Sequence, residues 1–289
     1  MPPEQLEQFA RQSSLKRADR ANEVLPLLTD HNLAIAQARA DCLNDLMLSV
    51  SANPTDRFYT MYADAFSSLA VYQVQAGFPK EAQQTLKKAR AAAVHAHDDS
   101  QRLAVELTEA GACVDRAVMA SGLWARWQQT LQNNPDDAMA NTQCALLHLS
   151  LYGQLAPAAT FAARSGRKEL TAFAAAYKLY AASSPTGNPS KAAESTVNVC
   201  RALLDVARTV AVHPFDKYSI AYLAGDRAQA VLESGLLPAA KTAAAQTVVT
   251  DARAFIEKGT IRPSALPKWL GGVDAPPPAA ATSATPGPN

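Results

Sequence analysis

No excess of one charge marks this chain: Lys+Arg 27 against Asp+Glu 26 leave a formal net charge of +1 over 289 residues. Proteins that bind nucleic acid or an anionic membrane by counterion release carry a basic surplus, so the charge balance argues against both kinds of partner. Glycine is scarce at 12 residues and aromatics supply only 7%, a balance that disfavours strand-rich architectures. The four cysteines, Cys42, Cys113, Cys144 and Cys200, form no Cys-x-x-Cys pair. That spacing suits reduced, packed thiols rather than a disulfide framework or a zinc site. No uncharged apolar run approaches the roughly 20 residues a bilayer needs, and Met1 to Glu7 contain neither the basic nor the apolar region of a leader. The expectation is a cytoplasmic protein without membrane insertion.

What the chain has in plenty is alanine, about a fifth of all residues, within an ordinary 48% hydrophobic content. Alanine is the strongest helix former and lets helix axes approach closely. Pro, Gly and Asn divide residues 3 to 258 into segments with apolar positions at helical spacing and no sustained alternation. The spacing predicts an all-α protein. A first helix is expected over about Pro3 to Ala21. A second is expected between the capping pair Thr29-Asp30 and Asn53-Pro54, with an apolar stripe of Leu33, Ile35, Leu43, Leu46 and Met47. After Lys258, Pro263 and Pro267 bracket a short element with Trp269. Residues 271 to 289 are Gly, Ala, Pro, Ser and Thr with one charge, Asp274, a composition expected to remain disordered.

Tyr62 to His97 is the most readable stretch. One helix ends at Gln75-Ala76-Gly77, Phe78-Pro79 link it to the next, and Lys80-Glu81-Ala82 open the second helix. Gly after one helix and Pro at the start of the next close an antiparallel hairpin. Here the sequence resembles a tetratricopeptide repeat, with the small or apolar signature positions on Phe66, Leu69, Ala70, Ala82, Leu86 and Ala89, although Gln73 stands where an aromatic is expected. Further hairpins are expected over Gln101 to Asn133 around Gly122, Asp136 to Arg164 around Gly153, Glu169 to Ala211 around Pro185 to Pro189, and Lys217 to Lys258 around Gly235. The turn glycines are unevenly spaced, so the resemblance implies a divergent array. It implies a right-handed helical-hairpin solenoid of about 10–12 antiparallel helices. Residues 1–55 would pack on the array, 56–260 would form it, and 261–289 would be the Pro/Ala-rich tail.

Catalytic chemistry has one weak foothold. Val94-His95-Ala96-His97-Asp98-Asp99 contains His-x-His and His-Asp, and helical phosphohydrolases of the HD superfamily use such a pair; His31 upstream with His97 and Asp98 would be the metal-binding set, with Asp115 or Asp136 following. The simpler reading is a helix end followed by Asp98, Asp99 and Ser100 capping the next helix. There is no nucleophile-elbow or P-loop signature, and Asp136-Asp137 read as helix-capping charges. No cofactor, metal or catalytic residue is expected. Trp124 and Trp127, three apart, could anchor a peptide but read more simply as packing area.

In the tetratricopeptide family, ligands lie in the groove lined by the first helix of each hairpin. Carried over through the turn glycines, that resemblance places Asp64, Ser67, Val71 and Val74 at the groove in the first hairpin, Gln143 and Leu147 in the third, and Tyr222 and Gln229 in the last. The Lys and Asn of the chaperone-binding carboxylate clamp are absent from these positions, so a mildly polar extended or helical peptide is the better expectation. The implied function is a non-catalytic interaction or scaffold module with a protein or peptide partner. The alternatives are the metal-dependent phosphohydrolase and a homo-oligomeric structural or secretion-related subunit.

Overall fold

Ten helices and no strand form among the described residues of the computed structural model, which are 33–45, 55–96, 100–183 and 188–259. The helices are α1 (33–45), α2 (Asp56–Gln75), α3 (Pro79–Ala93), α4 (Ser100–Asn133), α5 (Ala138–Ser150), α6 (Leu155–Ala162), α7 (Lys168–Ser183), α8 (Pro189–Thr209), α9 (Pro214–Glu233) and α10 (Ala239–Glu257). The expected helix over Pro3 to Ala21, the Trp269 element and the Pro/Ala-rich tail lie outside the described residues.

Local chemistry accounts for most boundaries. Thr55 caps α2 by accepting from the Phe58 N–H, Asp137 caps α5 through Ala140, and Asn188 caps α8 through Lys191. His213 caps α9 by accepting from the Phe215 N–H through Nδ1. Each satisfies a donor that the first helical turn leaves open. At the end of α2, the Phe78 N–H bonds the Gln73 carbonyl at 2.8 Å and the Gly77 N–H bonds Val74 at 3.0 Å. This Schellman closure needs φ +86° at Gly77, where any side chain would be strained. Gly235 after α9 also takes a positive φ, +64°, but there the Gly235 N–H bonds the Leu232 carbonyl and the Leu236 N–H bonds Ser234 Oγ.

Gly122 does not behave in this way. The expected hairpin around it is instead the middle of α4, a single helix of 34 residues. Gly122 faces open space, no proline follows it, and Leu123, Trp124 and Ala125 carry the helix onward. An isolated glycine costs a helix about 1 kcal/mol relative to alanine, which is too little to break one stabilised along its length by packing. The Pro135 boundary does form, as the loop between α4 and α5.

Helices pack largely in chain order: α2 on α3, α3 on α4, and so on to α9 on α10, with α2 also touching α4 and α8 touching α10. One departure matters. α9 also packs on α4 and α5, a contact between segments far apart in sequence that a purely nearest-neighbour array lacks. Small residues permit the close approaches. A Cβ on Gly225 of α9 would stand 2.9 Å from Ala252 Cβ of α10, and one on Gly111 of α4 would meet the Arg90 guanidinium of α3. No described helix is long and apolar enough to cross a membrane.

Candidate functional site

The first hairpin is built as its small residues require. Ala70, Ala82 and Ala89 are fully enclosed, and Phe66, Leu69 and Leu86 fill the layer around them. Tyr62 stacks on Phe66, and Lys88 lies 5.6 Å from the Phe66 ring centroid, a cation–π contact. Against this hairpin lies α1. Tyr62 Oη donates to Asn44 Oδ1 at 2.6 Å, and Arg39 Nη2 donates to Asp64 Oδ2 at 2.8 Å. Leu33, Ala34 and Gln37 face Gln73 across a cleft. Contacts thus descend α1 from 44 to 33 as they ascend α2 from 62 to 73, so the two helices run antiparallel. Ala36, Ala40 and Leu43 are the residues α1 buries. Ile35, expected in its apolar stripe, is exposed instead, because it lies a third of a turn from Ala36 and off the Ala36–Ala40–Leu43 line. Leu46 and Met47 lie outside the described residues.

Four groove candidates are corrected by this arrangement. Ser67, Val71 and Val74 on α2 and Leu147 on α5 are buried by the chain itself. They are core positions on α2, against which α3 and α4 pack, and Leu147 sits in a run of buried residues on α5. Asp64 is half-buried and engaged by Arg39. Gln143, Tyr222 and Gln229 are half-buried; Tyr222 lies 6.4 Å from Tyr218, and Gln229 donates to Glu233 on its own helix. The structure therefore brings Asp64, Ser67, Val71 and Val74 together on one helix, with the other four candidates on α5 and α9.

The open space is at the elbow of the hairpin. A cleft of about 400 Å³ is lined by Leu33, Ala34, Gln37, Gln73, Phe78 and Glu81. Phe78, between the two helices, is half exposed. Gln73 Oε1 is withdrawn from solvent without a hydrogen-bond partner among the described residues, which costs free energy that a donor would recover. The same residue was the departure from the repeat pattern in the sequence, and it is the signal that could have pointed here.

Two further polar centres lie deeper. Arg116 of α4 holds Asp216 of α9 in a two-pronged pair, Nε to Oδ1 at 3.0 Å and Nη2 to Oδ2 at 2.7 Å, and Ser150 Oγ of α5 donates to the same Oδ1 at 2.6 Å. All three residues are buried, so this cluster fixes the α4–α5–α9 contact. Beside it, Tyr218 Oη and Ser219 Oγ are buried without a partner among the described residues, and burial with the nearby Glu109 pushes the Tyr218 phenol far above its ordinary pKa. The second centre is His148 of α5. Its ring stacks on Phe161 with centroids 5.5 Å apart, meets the edge of Trp124 and shares a 2.9 Å hydrogen bond between Nδ1 and Gln154 Oε1. Desolvation lowers its pKa, opposed by the Gln154 bond.

Trp124 and Trp127 pack against the core, as the burial reading expects. Cys113, Cys144 and Cys200 are buried free thiols, with pKa values pushed by burial to about 12, 11 and 12, and Cys42 is free and exposed. His31, His97 and Asp98 of the phosphohydrolase alternative lie outside the described residues; Asp115 and Asp136 are exposed. Among the described residues, no three His, Cys, Asp or Glu side chains group as metal ligands would. No known protein family, curated protein or solved structure matches this chain.

Proposed function

We propose that the protein is a non-catalytic scaffold, a divergent tetratricopeptide-like array of right-handed helical hairpins that takes a protein or peptide partner at its first hairpin. The observation that carries this reading is the open cleft at the hairpin elbow. It is walled by three helices and combines apolar surface from Leu33 and Phe78 with the side-chain amides of Gln37 and Gln73 and the Glu81 carboxylate. Pockets that hold peptides have this mixture, with apolar anchors for affinity and a few polar groups for orientation. Stacked hairpins present such surface on a rigid frame. A cytoplasmic setting belongs to the same reading, supported by the free thiols.

The test starts from affinity capture in the native host and continues with the purified partner. Phe78→Asp and Glu81→Lys alter side chains that reach solvent, so both variants keep the wild-type melting temperature, and each weakens the partner by tenfold or more, on the order expected for an interface anchor. A captured partner that binds both variants as it binds the wild type would place the interface elsewhere.

A further inference from the structure

Of the side chains that line the elbow cleft, only Glu81 carries a charge. Its carboxylate is exposed in the first turn of α3, and no hydrogen bond or ion pair holds it among the described residues. Gln73 Oε1 lies out of solvent, likewise without a partner among the described residues. Gln37 donates Nε2 to Asp41 Oδ1 at 2.9 Å, so its amide oxygen is the group it can still offer. Asp41 itself adds a second exposed negative charge one turn along α1. The neighbouring cations are placed elsewhere. Arg39 is engaged by Asp64, and Lys80 stands about 100° round α3 from Glu81 and does not line the cleft. The cleft therefore offers acceptors and negative charge, with apolar footing from Leu33 and Phe78 beside them.

We propose that the cleft is a receptor for an arginine side chain, supplied by a partner peptide in which an apolar residue stands next to the arginine. The inference rests on the scaffold reading for its partner and gives that partner its chemistry. A guanidinium carries its N–H donors in one rigid plane and a charge that is never lost, so one group donates to Gln73 Oε1 and to the Glu81 carboxylate together. A lysine ammonium is a compact, strongly hydrated point charge and matches two separate acceptors less well. The methylene stem of the arginine lies along the apolar footing, and the Phe78 ring gives the cation a face to stack on. The neighbouring apolar residue takes up the rest of a cleft of about 400 Å³, a volume suited to a short stretch of side chains. Selectivity follows from what other ligands leave undone. A ligand without a donor leaves Gln73 Oε1 unpaired, and an acidic one is repelled by Glu81 and Asp41.

The probe is acetyl-leucyl-arginine amide, titrated into isotope-labelled full chain and followed by NMR amide shifts. Saturable shifts are expected at the Gln73 side-chain amide and at the Gly77 and Phe78 backbone amides. Acetyl-leucyl-citrulline amide keeps the shape and loses the charge, and it binds about fivefold or more weakly. Acetyl-glycyl-arginine amide, which lacks the apolar neighbour, also binds more weakly. Glu81→Gln lowers affinity for the arginine probe by about the same factor, and Glu81→Lys abolishes it. Both change an exposed side chain, and retained helicity in circular dichroism confirms the fold. Gln73→Leu weakens the arginine probe while the melting temperature stays level or rises, because a buried orphan acceptor is gone. The proposal fails if the citrulline probe binds as the arginine probe does, or if Glu81→Lys or Gln73→Leu binds arginine as the wild type does. It fails equally if the shifts lie away from the elbow or do not occur. Its failure is distinct from that of the scaffold reading. Arginine-selective shifts with no partner captured from the host remove the scaffold reading and keep the receptor chemistry, while a captured partner lost on Phe78→Asp with no arginine-selective shifts removes the arginine receptor alone.

Discussion

Arg39 meets Asp64 at 2.8 Å, and Arg116 meets Asp216 at 2.7 Å. The bonds differ little in length and almost wholly in surroundings. The first pair ties α1 to α2 with side chains 49% and 31% exposed, whereas the second ties α4 to α9 with side chains 4% and 1% exposed. In water the charges of the first pair are screened and already solvated, so joining them gains little, typically about 0–1 kcal/mol. Inside the protein neither member of the second pair can be left alone. Removing one strands the other, with Ser150 still directed at it, at about 3–5 kcal/mol. The same two residue types thus make a weak tie at one end of the molecule and a permanent lock in its middle.

The largest effect breaks the lock. Arg116→Ala or Asp216→Ala is expected to lower unfolding stability by about 3–5 kcal/mol in urea melts followed by circular dichroism. Replacing both with apolar residues, Arg116→Met with Asp216→Leu, should recover much of that loss, because no charge is then left unpaired. A loss below about 1 kcal/mol in both single variants would show that the pair is solvated and the contrast with Arg39–Asp64 false.

Next come the two close helix approaches. Gly225→Ala drives a methyl to 2.9 Å from Ala252 Cβ, which has no freedom to move aside, and is expected to cost about 1–3 kcal/mol by forcing α9 and α10 apart. Gly111→Ala meets only the tip of the Arg90 side chain, which can swing away. The gain in helix propensity, about 1 kcal/mol, then leaves it neutral or slightly stabilising. Paired thermal melts of the two variants check both signs.

A third, smaller effect is pH-dependent. The folded His148 has a pKa lowered below its ordinary 6.5 by desolvation, so the unfolded chain binds the proton more readily. Its contribution to stability is complete above pH 6.5 and is lost as pH falls through the lowered folded value. His213, whose pKa is lowered by burial and by Arg116 while Asp216 and Asp115 oppose the shift, adds in the same direction. His148→Phe should flatten stability against pH below 6.5, read in urea melts at several pH values, and His213→Asn, which keeps a capping side chain, should flatten the remainder. An unchanged slope in the double variant would assign the acid sensitivity to other groups.

The smallest effect is Arg39→Ala, with an unfolding free energy from urea melts expected within about 0.5–1 kcal/mol of wild type. A larger loss would make α1 as firmly fixed as the centre of the molecule and would erase the comparison.

Particular residues show how far the sequence could be read. The elbow at Gly77, the turns at Gly153 and Gly235 and the Pro135 boundary were all legible, because turn chemistry needs only a few neighbouring residues. The seam of Phe66, Leu69, Ala70, Ala82, Leu86 and Ala89 was legible for the same reason, as two adjacent helices and a short link fix its register. Gly122 misled, since a glycine followed by strong helix formers carries the same letter as one that ends a helix. Ser67, Val71, Val74 and Leu147 were assigned to a groove and lie in the core. Their burial comes from helices that arrive from elsewhere in the chain, and no spacing within α2 or α5 reports it.

By itself, then, the sequence determined that this protein is helical, where most of its helices turn, and which small residues let neighbouring helices close. All of these follow from interactions spanning a few residues along the chain. Only the tertiary structure decided that Arg116 and Asp216, a hundred positions apart, form one buried pair, that α1 lies over α2, and that open space remains at the elbow beside Phe78. Whether a side chain becomes core, tie or docking surface depends on which distant helix is brought against it. That outcome is set by the packing of the whole chain and is carried by no local pattern.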